Sequence, residues 1–384
     1  MKIIQDMKTK KAQLHLIIYM YVVAALLLTG CENEIPYNSG NQKPLIVMNA
    51  LLDAGETDNY VYLHLSEGNN IGRVNQATLS LYVNEQMTEE LQPMTIQEIH
   101  EGLNEETYGK DIYEQIIKNI KFKKFRLRTR FHPGDRIRLE ATAEEGKYRV
   151  SSEVVFPKPV QSIQVDTCIT KIFQWNSMRS FRKIQVTLHD LPNEKNYYRL
   201  DIQNNYRVHA SYPIPSLNED GSQVTDEDGT PFYWYKDTVF NYIDYELINR
   251  EDVILTDGHI SHSDQDEDNE LFPSISNKYN IFTDNQFSNS SATLKVYTAL
   301  ELGYLSGYNS VYSTLLSLTV RLLSLSKEEY LYLKGLNCMD DGDYDTTLME
   351  PVSLPSNVQG GLGFVGVSTE AKVIMEFPIK GYLE

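Results

Sequence analysis

The chain has 384 residues, of which 41% are hydrophobic and only 14 are proline, a composition typical of a folded globular protein. Its formal net charge of −18 disfavours nucleic acid and anionic lipid as partners, because both are negatively charged. The length predicts about two domains once an N-terminal signal has been removed.

The first thirty residues predict secretion. Several lysines near the start precede an apolar run from Leu14 to Leu28, which is the layout of a signal peptide. The run is shorter than the roughly 18 apolar residues that a bilayer-spanning helix needs. Leu28-Thr-Gly-Cys31 resembles the bacterial lipobox, whose cysteine is acylated and becomes the new N-terminus. We therefore predict a lipoprotein signal peptide over 1–30 and lipid attachment at Cys31.

The residues that follow the lipobox predict the final location. Residues 31–43 form a short tether, and Glu32-Asn-Glu34 resembles the acidic signal that exports lipoproteins of Bacteroidota-type bacteria to the outer face of the outer membrane. Each buried methylene of an acyl chain contributes about 0.8 kcal/mol, so an anchor of several chains is effectively permanent. We expect a lipid-anchored outer-membrane protein that faces the cell exterior.

Short strands dominate residues 44–158. Runs rich in Val, Leu, Ile and Tyr alternate with turn residues, and the predicted strands cover 44–52, 60–65, 77–83, 121–131, 136–143 and 148–156. Polar turns about every ten residues predict an immunoglobulin-like antiparallel β-sandwich. Residues 95–120 fit a short helix or a loop insertion instead.

One predicted strand, over 121–131, has a basic face. Phe125 and Leu127 alternate with Lys124, Arg126 and Arg128, which indicates a half-buried strand. The basic face either protects an exposed sheet edge or binds an acidic surface of a partner.

Residues 159–384 predict a second β-rich domain with long loops and one short helix. Strands are expected at 160–165, 183–189, 197–203, 292–298, 319–325 and 372–377. Clusters of Asp, Asn and Gly between 213 and 280 predict long, partly mobile loops. Ser326-Lys-Glu-Glu329 is a capping box, in which the serine hydroxyl and the glutamate each bind a free amide, and it predicts a helix near 327–336. The predicted fold class is therefore mainly β.

A series of landmarks carries a family resemblance. Besides the lipobox, they are Leu45–Ala50, Phe131–Asp135, Asp190–Tyr198, Leu323–Leu333 and Pro355–Gly366. Their order resembles the Bacteroidota lipoprotein family catalogued as domain of unknown function 4249. The resemblance implies an association with TonB-dependent outer-membrane transporters, and it supplies no catalytic residues to carry over. The segment 95–120 departs from the family pattern.

Two motifs suggest chemistry but have simpler explanations. Gly361-Leu-Gly-Phe-Val-Gly366 matches a dinucleotide-binding motif, but such a loop must open a helix, and here a strand is expected. We predict a glycine turn pressed against neighbouring backbone. Ser324-Leu-Ser-Lys327 matches the start of an acyl-serine enzyme motif, but the two partner motifs are missing. We therefore predict neither catalytic residues nor a cofactor.

The sequence offers only weak candidates for metal and thiol chemistry. His259, His262, Asp264 and Asp266 are weak candidates for metal ligands, since no spacing typical of a zinc or calcium site is present, and we favour a solvated acidic loop without metal. In an oxidising compartment, Cys168 and Cys338 either form a disulfide bond or remain two buried, unpaired thiols.

The predicted function is non-enzymatic. We expect an accessory or ligand-binding partner of a TonB-dependent transporter in nutrient uptake, whose ligand the sequence does not identify. The alternatives are an outer-surface hydrolase that uses paired carboxylates and a structural or adhesive surface protein. Trp234, within the aromatic run 232–236, either marks an exposed recognition loop or packs over the sheet.

Overall fold

Strands and turns account for most of the computed structural model. The model describes residues 43–67, 70–99, 110–174, 177–218, 221–245, 247–249, 252–255, 277–302, 305–339 and 354–377. The predicted signal peptide and lipid attachment site lie outside these residues, as do the four candidate metal ligands at 259–266.

The prediction of a mainly β fold is confirmed. The first eight strands are β1 Ile46–Asp53, β2 Asn59–Glu67, β3 Asn70–Gly72, β4 Ala77–Val83, β5 Gln86–Leu91, β6 Lys123–Leu127, β7 Arg136–Ala143 and β8 Tyr148–Val155. The others are β9 Ile163–Gln174, β10 Ser177–His189, β11 Tyr197–Pro215, β12 Tyr233–Asp244, β13 Ile281–Thr283, β14 Ser291–Ala299, β15 Ser310–Leu325 and β16 Leu362–Glu376. The helices are α1 Ile96–Ile99, α2 Lys110–Asn119 and α3 Lys327–Met339, and a 3₁₀ turn covers Asp284–Gln286.

Among the described residues, these strands form three sheets. A nine-stranded sheet has the order β12-β11-β15-β16-β1-β2-β3, with β13 also pairing with β11 and β6 with β2. A four-stranded sheet has the order β5-β4-β7-β8, and a three-stranded sheet the order β14-β10-β9. The β1–β16 pair is parallel, with Asn49 opposite Phe364, whereas β2 and β15 flank it in antiparallel orientation.

Each smaller sheet packs against part of the large sheet and encloses a core. Alternate residues of β1, β2 and β6 meet those of β4 and β7 in the first core, as with Leu63 and Leu139. Alternate residues of β11 and β15 meet those of β10 and β14 in the second. Strand β16 contributes to both cores, through Val365 to the first and Ala371 to the second. The domain boundary at 158/159 stays a prediction.

The described residues of the segment 95–120 include the helices α1 and α2, of which α1 begins with a capping box. The Thr95 amide donates to the Glu98 carboxylate at 2.7 Å, and the Glu98 amide donates to Thr95 Oγ1 at 3.3 Å. At the end of α2, Arg73 Nη2 donates to the Lys118 carbonyl at 2.7 Å. This contact satisfies a carbonyl that the helix leaves free.

Two sequence predictions need correction. The strand expected over 121–131 ends at Leu127, because the Glu89 carboxylate accepts hydrogen bonds from the Arg128 and Thr129 amides in place of a strand partner. The region 213–280, expected to form long loops, contains strand β12. Its turn residues close short connections: the Gly229 amide, for example, donates to the Asp226 carbonyl at 3.1 Å.

Candidate functional site

The two most specific landmark segments meet where α3 packs on the sheet. The Tyr332 ring of α3 stacks on Phe364 of β16, with centroids 4.5 Å apart and planes 5° apart. We call this region, formed by α3, the first half of β16 and the adjacent face of β1, the junction. The landmarks thus belong to one structural feature, although about thirty residues separate them in the sequence.

The glycine motif provides close backbone packing in the junction. A Cβ atom at Gly361 would overlap the Ile46 carbonyl oxygen, and one at Gly363, where φ is +109°, would overlap that of Met48. Only glycine adopts this conformation readily and leaves room for β1. The motif continues into strand β16 and not into a helix. The predicted close packing of these glycines against neighbouring backbone is therefore confirmed, but residues 362–366 form the start of β16 and not a turn.

Half of the predicted capping box at α3 is confirmed. Ser326 Oγ accepts a hydrogen bond from the Glu329 amide at 3.1 Å. The Glu329 carboxylate, however, does not return to Ser326 but points into the sheet, where a Cβ atom at Gly366 would lie 2.9 Å from it. It accepts a hydrogen bond from the Val367 amide. Strand β15 pairs with β16 only as far as Ser368, so it leaves the Val367 amide without a partner on β15. The Glu329 carboxylate accepts the hydrogen bond from this amide in place of β15.

Glu329 is an unusual carboxyl group because it is almost completely buried. Burial raises its pKa to about 7, although nearby Arg199 opposes this shift. Its Oε2 atom has no hydrogen-bond partner among the described residues. Loss of its proton would therefore leave a poorly solvated charge inside the junction.

A cluster of charges centred on Arg321 crosses four strands on the same face of the sheet. Arg321 on β15 binds Glu370 on β16 at 2.5 Å, Asp201 on β11 at 3.3 Å and Asp53 on β1. Burial raises the pKa of Asp53, against the opposing effects of the Gly55 amide and Arg321. Burial acts to raise the pKa of Glu370, but hydrogen bonds from Arg321 and Lys372 outweigh this effect and hold the pKa below its usual value. The cluster ties the strands together through one shared guanidinium group.

The opposite end of β15 belongs to a different surface. Strand β15 pairs with β16 only from Ser317 onward, but it pairs with β11 from Ser310. Strands β11, β12 and β15 thus continue beyond β16 as a three-stranded extension, which we call the arm (residues 206–215, 233–244 and 310–316). In the described part of the chain, β12 pairs only with β11 and forms the edge of the sheet.

One face of the arm is packed near β11, whereas the opposite face and most of the edge strand β12 are exposed. On the packed face, Phe240 lies 5.5 Å from the Tyr308 ring, next to buried Tyr206 and Val208. The exposed face and the edge carry large apolar side chains, namely Phe232, Tyr233, Trp234, Tyr235, Val239, Tyr242, Ile243, Tyr245 and Tyr312. Tyr312 alone is 75% exposed. An exposed apolar patch of this kind indicates an interaction surface.

The arm was not predicted from the sequence, although a signal was present. Trp234 is 52% exposed and lies on strand β12, so it neither occupies a loop nor packs over the sheet. Aromatic residues fill consecutive positions from Phe232 to Tyr235 instead of alternating. This pattern lacks the period of two that marks a half-buried strand, and it suits a strand that is exposed on both faces.

The other predicted sites contribute little to a functional site. Cys168 is exposed on β9 and Cys338 lies on α3, and both thiols are free. No group of three or more His, Cys, Asp or Glu side chains suited to a metal occurs in the described part of the chain. Within the same residues, no helix has the length and apolar character needed to cross a membrane.

The comparisons with known proteins identify a family but no activity. No curated protein matches the chain. Among solved structures, a β-glucuronidase from Parabacteroides merdae with glycerol in its active site matches 74% of this chain and 23% of its own length, at 11% identity. Its TM-score of 0.16 is too low to carry an argument. A family model does match, over residues 32–374. The chain belongs to the family described as Domain of unknown function (DUF4249).

Proposed function

We propose that this protein is a non-enzymatic lipoprotein, anchored through Cys31 in the outer membrane and facing the cell exterior, that binds a TonB-dependent transporter through the arm. It assists the transporter in nutrient uptake. The lipobox and the acidic residues after it support the location. The family resemblance supports the class of partner, and the exposed arm supports binding.

The observation that carries this proposal is the edge of β12, which no other strand covers among the described residues. Every second residue of an edge strand turns its backbone N–H and C=O groups away from the sheet. A long edge with apolar side chains promotes aggregation unless a partner or a protective charge covers it. Lys236 is the one basic residue among the twelve of β12. We therefore assign an extended segment of the transporter as the added strand.

The acidic residues at the end of the arm indicate which side chains the transporter segment carries. Asp226, Glu227 and Asp228 are exposed at the end of the arm, between β11 and β12. They favour a segment that carries Lys or Arg beside its apolar residues, because opposite charges guide association and set the register of pairing.

The test is an affinity capture from solubilised outer membranes with the tagged, lipidated protein. We expect a TonB-dependent transporter at near-stoichiometric amounts. Tyr235→Lys with Ile243→Lys should abolish capture, since both side chains are about half exposed on the same face of β12. The matched control is Ile169→Lys with Met178→Lys, which makes the same change at exposed residues of β9 and β10. This control should retain capture.

The outcomes distinguish the competing functions. Equal capture by both variants would contradict the arm as the docking surface. Absence of any transporter would contradict the accessory function and favour an adhesive protein or a hydrolase. The structure does not favour the hydrolase, because Asp53, Asp201 and Glu370 all bind Arg321 and are mostly buried.

A further inference from the structure

A second surface differs in charge from the rest of this acidic chain. Arg73, Lys118 and Lys121 are exposed and line an open depression of about 610 Å³ together with Glu114 and Ile117. The depression lies between the end of α2 and the segment after β3. Three cations and one anion give it a positive charge, in contrast to the net charge of −18 for the whole chain.

Exposed apolar side chains flank these cations. Leu45 is 43% exposed and Ile71 is 52% exposed. Both lie beside Ser66 of β2, since the Ser66 amide donates to the Leu45 carbonyl at 2.8 Å and Ile71 is paired with Ser66 on β3. We call these two residues and the three cations the basal surface.

The basal surface is held in place by backbone contacts. The hydrogen bond from Arg73 to the Lys118 carbonyl fixes the end of α2 against the β3–β4 connection. The Val74 amide donates to the Lys121 carbonyl at 3.3 Å, which fixes the chain that enters β6. The cations are thus presented together from three segments.

We propose that the basal surface rests on anionic, phosphate-bearing lipid headgroups of the membrane that holds the Cys31 anchor. Exposed basic residues next to exposed apolar ones match the two layers of a membrane interface, where headgroups bind the cations and the acyl boundary takes up the apolar side chains. The inference deepens the proposed function and depends on lipid attachment at Cys31.

The covalent chain keeps this surface close to the membrane. About 13 residues join Cys31 to Pro44, and they span at most about 45 Å when fully extended. The chain then passes through Leu45 of the basal surface directly into β1. The effective concentration of headgroups at the surface is therefore high, and a weak attraction is enough to orient the protein.

Orientation also explains how an acidic protein tolerates an anionic membrane. The arm and β3 lie at opposite edges of the nine-stranded sheet, six strand spacings apart, or roughly 30 Å. Contact through the basal surface therefore keeps the arm with its acidic end away from the headgroups.

Lysine footprinting on vesicles tests this proposal. The mature lipidated protein is inserted into vesicles of phosphatidylcholine alone or of phosphatidylcholine with phosphatidylglycerol, and acylation of each lysine by a water-soluble reagent is followed by mass spectrometry. We expect Lys118 and Lys121 to react at least about fivefold more slowly on the anionic vesicles. Exposed Lys171 and Lys334 should react equally on both and serve as internal controls.

Two further measurements show whether the slowing is specific to the basal surface. Lys118→Glu should return the reaction rate of Lys121 towards its value on neutral vesicles, whereas Lys171→Glu should leave it slow. Added salt at 0.5 M should remove the difference, because it screens the attraction. Equal rates on both vesicles, or slowing that extends to Lys171 and Lys334, would overturn the proposal. The intact mass of the protein reports acylation separately, so a missing lipid anchor is not mistaken for an inactive basal surface.

Discussion

The two ends of strand β15 illustrate two different uses of the same sheet. Next to the junction, Arg321 binds carboxylates from three other strands and is largely buried. Nine residues earlier, in the arm, Tyr312 is 75% exposed. Both side chains lie on one strand, so the difference arises from the elements that cover it and not from the strand itself.

This comparison separates residues that maintain the fold from residues available for binding. The junction contains glycines with no room for a side chain and a buried carboxyl group, and the Arg321 cluster next to it contains a shared guanidinium group. Substitutions there should affect stability. The arm exposes apolar side chains that contribute little to its own packing, so substitutions there should affect association and leave stability unchanged.

The largest effect is expected for Gly363→Ala in the junction. The new Cβ atom would overlap the Met48 carbonyl oxygen at a backbone conformation that alanine disfavours. We expect the free energy of unfolding to fall by at least about 3 kcal/mol in urea denaturation. The control is Gly307→Ala, at a turn with a similarly positive φ but empty space around it, which should cost about 1 kcal/mol. Equal losses would show that close packing at Gly363 is unimportant.

Arg321→Met should have the next largest effect. It leaves Asp53, Asp201 and Glu370 close together without their shared cation. Removal of one partner from a buried ion pair costs about 3 kcal/mol. Chemical denaturation at pH 7 measures this loss, and lowering the pH should recover part of it as the carboxylates take up protons. Arg126→Met, which removes an exposed ion pair with Asp58, should lower the free energy of unfolding much less.

Glu329 should make the stability of the junction depend on pH. Its pKa in the folded state is about 7, above the ordinary value of 4.5, so the folded protein binds the proton more tightly than the unfolded one. Stability should therefore be highest below about pH 4.5 with respect to this group, fall by about 3 kcal/mol between pH 4.5 and 7, and change little above that.

A matched pair of variants isolates this effect. Glu329→Gln should flatten the fall in stability between pH 5 and 7, measured by urea denaturation at several pH values. Glu328→Gln, an exposed neighbour on the same helix turn, should leave the fall unchanged. Identical pH profiles for the two variants would assign the titration to another group.

The smallest effect on stability is expected in the arm. Tyr312→Ser should change the free energy of unfolding by less than about 0.5 kcal/mol, because the side chain has few neighbours to lose. Leu322→Ala on the same strand should cost about 3 kcal/mol, since it creates a cavity in the second core. Thermal denaturation of both variants compares the two ends of β15 directly, and a large loss for Tyr312→Ser would show that the arm is part of the stable fold.

Local patterns in the sequence predicted much of the fold. Strands β4 and β7 have the predicted boundaries, and helix α3 begins at its predicted residue. These elements carry strong periodicity or a cap, and both signals depend on nearby residues alone. Close backbone packing of the glycine motif was also predicted, because a run of glycines is a local signal even though its partner strand β1 is distant in the sequence.

The remaining features depend on contacts between distant residues. Nothing near Glu329 indicates that its carboxylate turns towards Val367 and not back to Ser326, because the free amide belongs to a strand about forty residues away. Pairing of β1 with β16 joins residues about three hundred positions apart, as in the hydrogen bond from the Phe364 amide to Asn49 Oδ1. The edge strand β12 lacks the usual alternation because few of its side chains contact a core.

The position of β16 affects the order of events during folding. It is the last strand in the described chain, yet it lies between β1 and β15 and supplies residues to both cores. Because a chain is synthesised from its N-terminus, neither core can be completed until β16 has been made. Such long-range pairing slows folding, and a chain that lacks β16 would complete neither core.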